Sequence, residues 1–236
     1  MILSIHQPEH IPWLGFFHKM SHSEQFLILD TVPFSKNYYQ NRNKIRTSNG
    51  SQWLTVPVHK NINTLIKDVT IANDPKWKKK WKDSIYFSYK KSKFFNQYSE
   101  VIIDSINNDW EYLSELNMDL ILKISNILKI ETKIIRASSL PDMNAQKSQL
   151  LLSYCKYLNT DIYFSGISGK EYLDLDFFSS NDIQVEFQTF YHPIYQQTYE
   201  PFIPCMSVLD LIFNHGEASI DIINGKGVSV MNKVFT

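Results

Sequence analysis

Two stretches of the chain carry side chains that could do chemistry. The first runs from Asp30 to Gln52 and holds Asn41-Arg42-Asn43-Lys44-Ile45-Arg46. Its amide and guanidinium groups offer planar, multidentate hydrogen bonding suited to an anionic or heavily hydroxylated ligand. The competing reading is a solvated loop closed by a turn at Asn49-Gly50, a common hairpin signal. The second stretch is Ser165-Gly166-Ile167-Ser168-Gly169-Lys170, directly after an apolar segment. Its backbone amides can form a concave nest for phosphate with Lys170 closing on it, although the spacing is not that of a Walker motif. An ordinary glycine turn between strand and helix competes with that reading.

Three further positions stand out. His6 ends an apolar segment and is followed by Gln7, with Pro8 and Pro12 stiffening the loop, so it could serve as a general base or as a donor to a ligand. A histidine satisfied by main-chain groups is the bland alternative. His192 lies in the aromatic run Phe190-Tyr191-His192-Pro193-Ile194-Tyr195-Gln196-Gln197, whose ring edges suit sugar or nucleobase faces but also suit a core. Asp210 falls within an apolar helical pattern, where a buried carboxylate needs a partner such as Arg42 or Arg46. His10, His18 and His22 share no ligand spacing with His6, and no metal site is expected.

The elements that must position these groups follow from hydrophobic periodicity. Residues 2–6 read as a buried strand, 13–20 as a helix opened near Pro12, and 25–29 as a second strand ending at Asp30, which is a β-α-β opening. In open α/β sheets ligands collect beyond the carboxyl ends of strands, and that rim would carry His6, Gln7 and Asp30. Residues 53–58 form another strand closed by polar 59–63, with 66–71 as its hairpin partner. In residues 75–82 Lys and Trp interleave, which could serve nucleic acid; Trp77, Trp81 and Ile85 at helical spacing favour a core-facing helix with solvated lysines. Helices at 94–103 and 110–128, a strand at 134–136, a helix at 145–158, strands at 161–164 and 183–187 and a helix at 207–214 complete the pattern. The fold class expected is α/β, with a mixed sheet and a helical accessory region at about residues 75–130, all in one domain spanning 1–236.

The 24 basic and 24 acidic residues balance, which argues against a general nucleic-acid or membrane-surface binder and leaves a local basic patch open. Two cysteines in unrelated contexts form neither a disulfide framework nor a metal motif. Neither a signal peptide nor a membrane-spanning run is apparent, so a cytoplasmic location is the default.

Taken together, the chain resembles the WbqC-like family over nearly its full length. The residues that carry the resemblance are Ile5-His6-Gln7-Pro8 with Pro12-Trp13-Leu14-Gly15, then Leu29-Asp30, Asn41-Arg42-Asn43-Lys44-Ile45 and Trp53-Leu54-Thr55-Val56-Pro57. Later come Tyr163-Phe164-Ser165-Gly166, Gly169-Lys170-Glu171-Tyr172-Leu173, His192-Pro193 with Tyr195 and Gln197, and Pro204 with Ser207-Val208-Leu209-Asp210-Leu211. Thr31, Pro33 and Ile167 depart from the family pattern. The resemblance implies a cytoplasmic protein of O-antigen and other surface-polysaccharide biosynthesis that acts on an activated sugar. On that basis an enzyme is expected, transferring an acyl or aminoacyl group to the amine of a nucleotide-linked amino sugar. His6 or His192 would take the amine proton and Asp30 would orient that base. Gln7, Asn41, Arg42, Asn43, Arg46, Ser165, Gly166, Gly169, Lys170 and Gln197 would hold the substrate. The acyl donor stays open between an acyl-coenzyme A and ATP chemistry, and homo-oligomerisation stays open too. A non-catalytic sugar-nucleotide scaffold and an adenylate-forming or nucleotidyl-transfer enzyme are the alternatives.

Overall fold

The computed structural model describes residues 1–35, 38–59, 63–72 and 74–235. The expected polar closure at 59–63 therefore lies largely outside the described residues, as do positions 36 and 37 of the first polar stretch. In chain order the elements are β1 (Ile2–His6), α1 (Leu14–Ser21), β2 (Gln25–Ile28), β3 (Arg42–Thr47), β4 (Gly50–Thr55), β5 (Val58–His59) and β6 (Thr70–Ile71). Next come α2 (Lys76–Tyr89), α3 (Phe95–Asn107), α4 (Leu113–Ile127), β7 (Lys133–Arg136), α5 (Lys147–Tyr157) and β8 (Ile162–Ser165). The chain ends through α6 (Leu175–Ser179), β9 (Gln184–Phe187), β10 (Tyr191–Pro193), α7 (Val208–His215), α8 (Ser219–Ile223) and β11 (Val230–Val234).

Five parallel strands build the central sheet in the order β7-β2-β1-β8-β9. This is the expected α/β architecture with its β-α-β opening, but the central sheet is wholly parallel rather than mixed, because the antiparallel pairs β3-β4, β5-β6 and β10-β11 stand apart as two-stranded ribbons. Strand alternation sends Phe26 and Ile28 to one face and Leu3, Ile5, Leu27 and Leu29 to the other. A helix layer covers each face, as a parallel sheet requires. The larger layer includes α1, α2, α3, α4 and α7, with Trp81, Ile85, Ile102, Leu116, Leu120 and Ile124 wholly buried. Phe178 and α5, through Leu152, Tyr154 and Cys155, cover the other face. Ser207 caps α7 as its sequence suggests, accepting from the Leu209 amide at 3.3 Å.

The segment read as a binding loop is largely a hairpin. β3 and β4 pair antiparallel from Arg42↔Thr55 to Thr47↔Gly50, leaving a two-residue turn at Ser48-Asn49. Gly50 takes φ +119, which an L side chain rarely adopts. A hairpin turn therefore closes the stretch, one residue earlier than the expected Asn49-Gly50, and several side chains of the stretch point into the protein.

Candidate active site

The chain leaves β1 to build β2 on one flank and returns much later to lay β8 on the other. In an open parallel sheet the crevice beyond such a switch point is where ligands bind. His6 and Gln7 leave the carboxyl end of β1 there, and Ser165 and Gly166 leave that of β8. The crevice has two lobes, of about 350 Å³ and 130 Å³. Gln7, Tyr163 and Ser165 line the larger lobe, while Glu9, Trp13, Gln188 and Cys205 line the smaller. His6, Lys19, Tyr38, Gly166 and Ser168 belong to both, so the lobes meet on these residues.

His6 Nδ1 lies 2.9 Å from the Gln7 carbonyl oxygen. A carbonyl only accepts, so Nδ1 carries the proton and Nε2 is a bare acceptor. That Nε2 faces Glu9 Oε1 at 3.9 Å, too far for a direct hydrogen bond. Glu9 is 4 % exposed, and its Oε2 is buried without a partner among the described residues. Lys19, 3 % exposed on α1, donates to the Ile5 carbonyl at 3.1 Å. Burial dominates the electrostatics of all three. It pushes the His6 imidazolium down to about 3, helped by the Lys19 charge. The same desolvation raises Glu9 to about 8, against the pull of Lys19, and lowers Lys19 to about 7, against the pull of Glu9. The junction of the lobes thus holds a bare acceptor, His6 Nε2, a carboxyl group that keeps its proton near neutrality and one poised amine.

The amide-rich stretch holds this junction in place from behind. Asn43 Nδ2 donates to the carbonyls of His10 and Ile11 at 3.3 and 3.0 Å, and its Oδ1 accepts from the Lys44 amide. Ile11 has φ +40, a conformation that costs a β-branched residue on the order of 1–3 kcal/mol and persists only where its surroundings enforce it. His10 anchors the same loop: Nδ1 lies 3.1 Å from Asn117 Oδ1, and Nε2 accepts from the Trp81 indole at 3.0 Å. Gln40 Nε2 donates to Gln7 Oε1 at 2.6 Å. The loop that presents Glu9 is therefore pinned on three sides.

The other expected site residues divide clearly by position. Asn41 Nδ2 donates to the Val56 carbonyl. Arg46, wholly buried, serves the carbonyls of Thr47, Gly50 and Pro201. The Arg42 guanidinium stacks 4.2 Å over Trp53, whose ring packs on Tyr39 at the crevice rim. Asp30, expected to orient His6, turns its carboxylate instead to the end of β7 and the turn after it, where Arg136 Nε and Nη2, the Ser138 amide and the Ser138 hydroxyl all donate to it. His192 is stacked between Trp13 and Tyr195, with Nδ1 on the Pro193 carbonyl and Nε2 accepting from the Cys205 amide. Gln197 binds both main-chain groups of Ile203 and Asp210 Oδ2. Asp210 itself is held by Tyr195 and Gln197, not by an arginine ion pair. Gly166 faces the crevice, whereas Gly169 is needed for close packing, because a Cβ there would collide with Ser165 Oγ. Lys170 lies 5.3 Å over the Phe187 ring. Of the expected set, His6, Gln7, Ser165 and Gly166 converge on one crevice.

Residues 7–222, a span that contains Glu9, Lys19 and both strand-end loops, match the model of the WbqC-like protein family. The chain belongs to the WbqC-like protein family. It is also 29 % identical over 227 residues to a Mycobacterium tuberculosis (strain ATCC 25618 / H37Rv) protein described as uncharacterized protein Rv1507c, a span of 93 % of this chain and 96 % of that one. No solved structure matches. In this WbqC-like chain the sequence reading missed Glu9 and Lys19. A signal existed: Lys19 stands between the apolar Phe16-Phe17 and Met20, on the face that α1 turns to the sheet. Among the described residues no cluster of His, Cys, Asp and Glu could hold a metal ion. Among the described residues no helix is long and apolar enough to cross a membrane.

Proposed function

We propose that this WbqC-like protein acts in polysaccharide biosynthesis as a transferase that joins an acyl or aminoacyl group to the amine of a nucleotide-linked amino sugar. The observation that carries the reading is the buried pair of His6 Nε2 and the Glu9 carboxyl group, left unbridged at 3.9 Å where the two lobes meet. A primary amine placed between them can donate to His6 Nε2 and to a Glu9 oxygen at once. The two lobes give room for two substrates, which a transfer requires.

The chemistry follows from the three groups. An amino sugar enters as an ammonium and gives one proton to Glu9 in its ionised form, whose raised pKa suits a base working near neutrality. His6 is a poor proton carrier because burial holds it neutral, so its part is to accept a hydrogen bond from the amine and aim the nitrogen lone pair. That nitrogen attacks the carbonyl carbon of the donor. A C–N bond forms while the bond to the donor's thiolate or phosphate leaving group breaks, and the second N–H proton leaves through Glu9 once its first has passed to solvent. Lys19 sits where it can meet the developing oxyanion. Ser165, Gly166 and Ser168 offer hydroxyls and main-chain groups to the nucleotide-sugar side.

The test is a matched pair of ligands: a nucleotide-linked amino sugar and its counterpart with a hydroxyl in place of the amine. Binding stabilises the native state by mass action, about 2.7 kcal/mol at a hundredfold excess over Kd, so thermal shift reads selectivity directly. The amine should be preferred by at least about tenfold, and Glu9→Gln should abolish that preference. Equal shifts for both ligands, or selectivity intact in the variant, would sink the assignment. Acyl-coenzyme A or ATP with a carboxylic acid is then added, and mass spectrometry seeks the amide; selective binding without any product would favour the scaffold reading.

A further inference from the structure

The lysine-rich helix has a use that the core does not absorb. Trp77, Trp81, Ile85, Ser88 and Tyr89 are the buried stripe of α2. Its opposite face repeats at helical spacing through Lys76, Lys79, Lys80, Asp83, Tyr86, Phe87 and Lys90, and Lys91 and Lys93 extend it into the next loop. Between positions 75 and 99 there are eight lysines and one acidic residue, in a chain whose charges balance overall. Lys78 and Lys82 are turned away to Asp109 and Asn107, and Lys79 pairs with Asp83. Lys76, Lys80, Lys90, Lys91 and Lys93 remain exposed.

In the middle of this field stand two large aromatic side chains. Phe87 is 63 % exposed and Tyr86 48 %. Their rings meet edge to face at 5.4 Å, and Lys90 Nζ lies 5.1 and 5.2 Å from the two ring centres. Beside them a surface groove of about 570 Å³ runs between α2 and the β3-β4 turn, where Lys76, Lys79 and Lys80 face Ser48, Asn49 and Gln52.

We propose that this face docks on the surface of an anionic lipid bilayer. Lysines at a membrane surface are drawn to acidic headgroups, while aromatic side chains insert at the headgroup boundary. The groove adds hydroxyl and amide donors among the ammonium groups, a polar cradle of the kind a phosphate headgroup fills. A single nucleic-acid strand is the weaker occupant. It needs open ring faces for base stacking, and here the two rings meet edge to face with Lys90 Nζ close to both ring centres. The site is distinct from the crevice at the sheet end and stands whether or not the transferase reading does.

Co-sedimentation of the full chain with vesicles of phosphatidylcholine alone, and of phosphatidylcholine mixed with phosphatidylglycerol, is the test. Binding should require phosphatidylglycerol and weaken as salt shortens the screening length. The triple variant Lys76→Gln, Lys80→Gln, Lys90→Gln should reduce partitioning by at least about tenfold, given that each lysine near the surface contributes about fivefold. Phe87→Ser should weaken it at every salt concentration. All these positions are exposed, and circular dichroism verifies that the variants fold. Absence of binding to the mixed vesicles, equal binding to both vesicle types, or partitioning unchanged in both variants would overturn the proposal. So would tighter binding to an oligonucleotide than to the vesicles, which would assign the face to nucleic acid.

Discussion

Glu9→Gln tests the candidate site through stability before any substrate is known. In the unfolded chain Glu9 loses its proton near pH 4.5, whereas in the folded protein burial holds the proton until about pH 8. Between these values the native state binds one more proton than the unfolded state. Stability must therefore fall as pH rises, by about 1.4 kcal/mol per pH unit at most. Glutamine has nearly the same shape and does not titrate, so the variant escapes this cost. Over the whole window the limit is about 5 kcal/mol. Lys19 draws Glu9 toward its charged form, and losing that attraction offsets part of the gain. A net stabilisation on the order of 2 kcal/mol is expected at pH 8, shrinking toward zero near pH 4.5. Urea unfolding of both proteins across that range measures it, with the slope m checked for constancy. A difference that stays flat with pH, or a variant less stable than the parent at pH 8, would refute the picture of a buried, unsatisfied carboxyl group. A stabilised variant that has also lost amine selectivity would show a group held at a cost for its function.

The buried histidines act with the opposite sign on the acid side. Burial lowers His6 to about 3 and His10 and His192 to about 4, so the unfolded chain takes up protons below about pH 6.5 that the folded protein refuses. Three such groups outweigh Glu9, and denaturant midpoints should fall steeply from pH 6.5 to 4.5; an unchanged midpoint would refute the neutral assignment. Arg136→Met should cost about 3–5 kcal/mol by leaving the Asp30 carboxylate buried without its cation. At a temperature where that variant is folded, amine selectivity should persist. Lost selectivity with stability intact would return Asp30 to the site.

Most elements were legible because their hydrophobic periods are regular. The continuous apolar run Phe26 to Leu29 marks β2 as a strand buried on both faces, and the Leu116, Leu120, Ile124 stripe of α4 fixes one buried face, which is all that an element assignment needs. β3 was not legible, and Asn43 explains why. An inward position of that strand carries an amide, because the strand's task is to hold the carbonyls of His10 and Ile11. The apolar-polar alternation that marks a strand is thereby broken. Strand order was hidden for another reason. The crossovers that set β1 between β2 and β8 leave no local mark, so the amino-acid sequence raises the question of whether His6 meets Ser165 and Gly166 without answering it. Arg46, Gln197 and His192 have the chemistry of ligand-binding groups. They use it on main-chain groups and, for Gln197, on Asp210 as well, partners whose positions a sequence does not reveal.

Two carboxylates at the carboxyl end of the sheet show why the function is read at Glu9. Both are buried, and burial of a charge is tolerated only with compensation. Asp30 has it in full: a guanidinium, a hydroxyl and an amide donate to its two oxygens. Glu9 has one oxygen without a partner and the other 3.9 Å from an imidazole nitrogen that can only accept. Selection for stability alone would remove such a group, since a buried ionisable cluster exchanged for apolar side chains of equal volume is often neutral or stabilising. Yet the surrounding residues are devoted to holding it, at the expense of a left-handed isoleucine and a strand position given to asparagine. An arrangement that is costly when empty and pinned from three sides is accounted for if a ligand completes it, and the proposed amine can donate to His6 Nε2 and to a Glu9 oxygen at once.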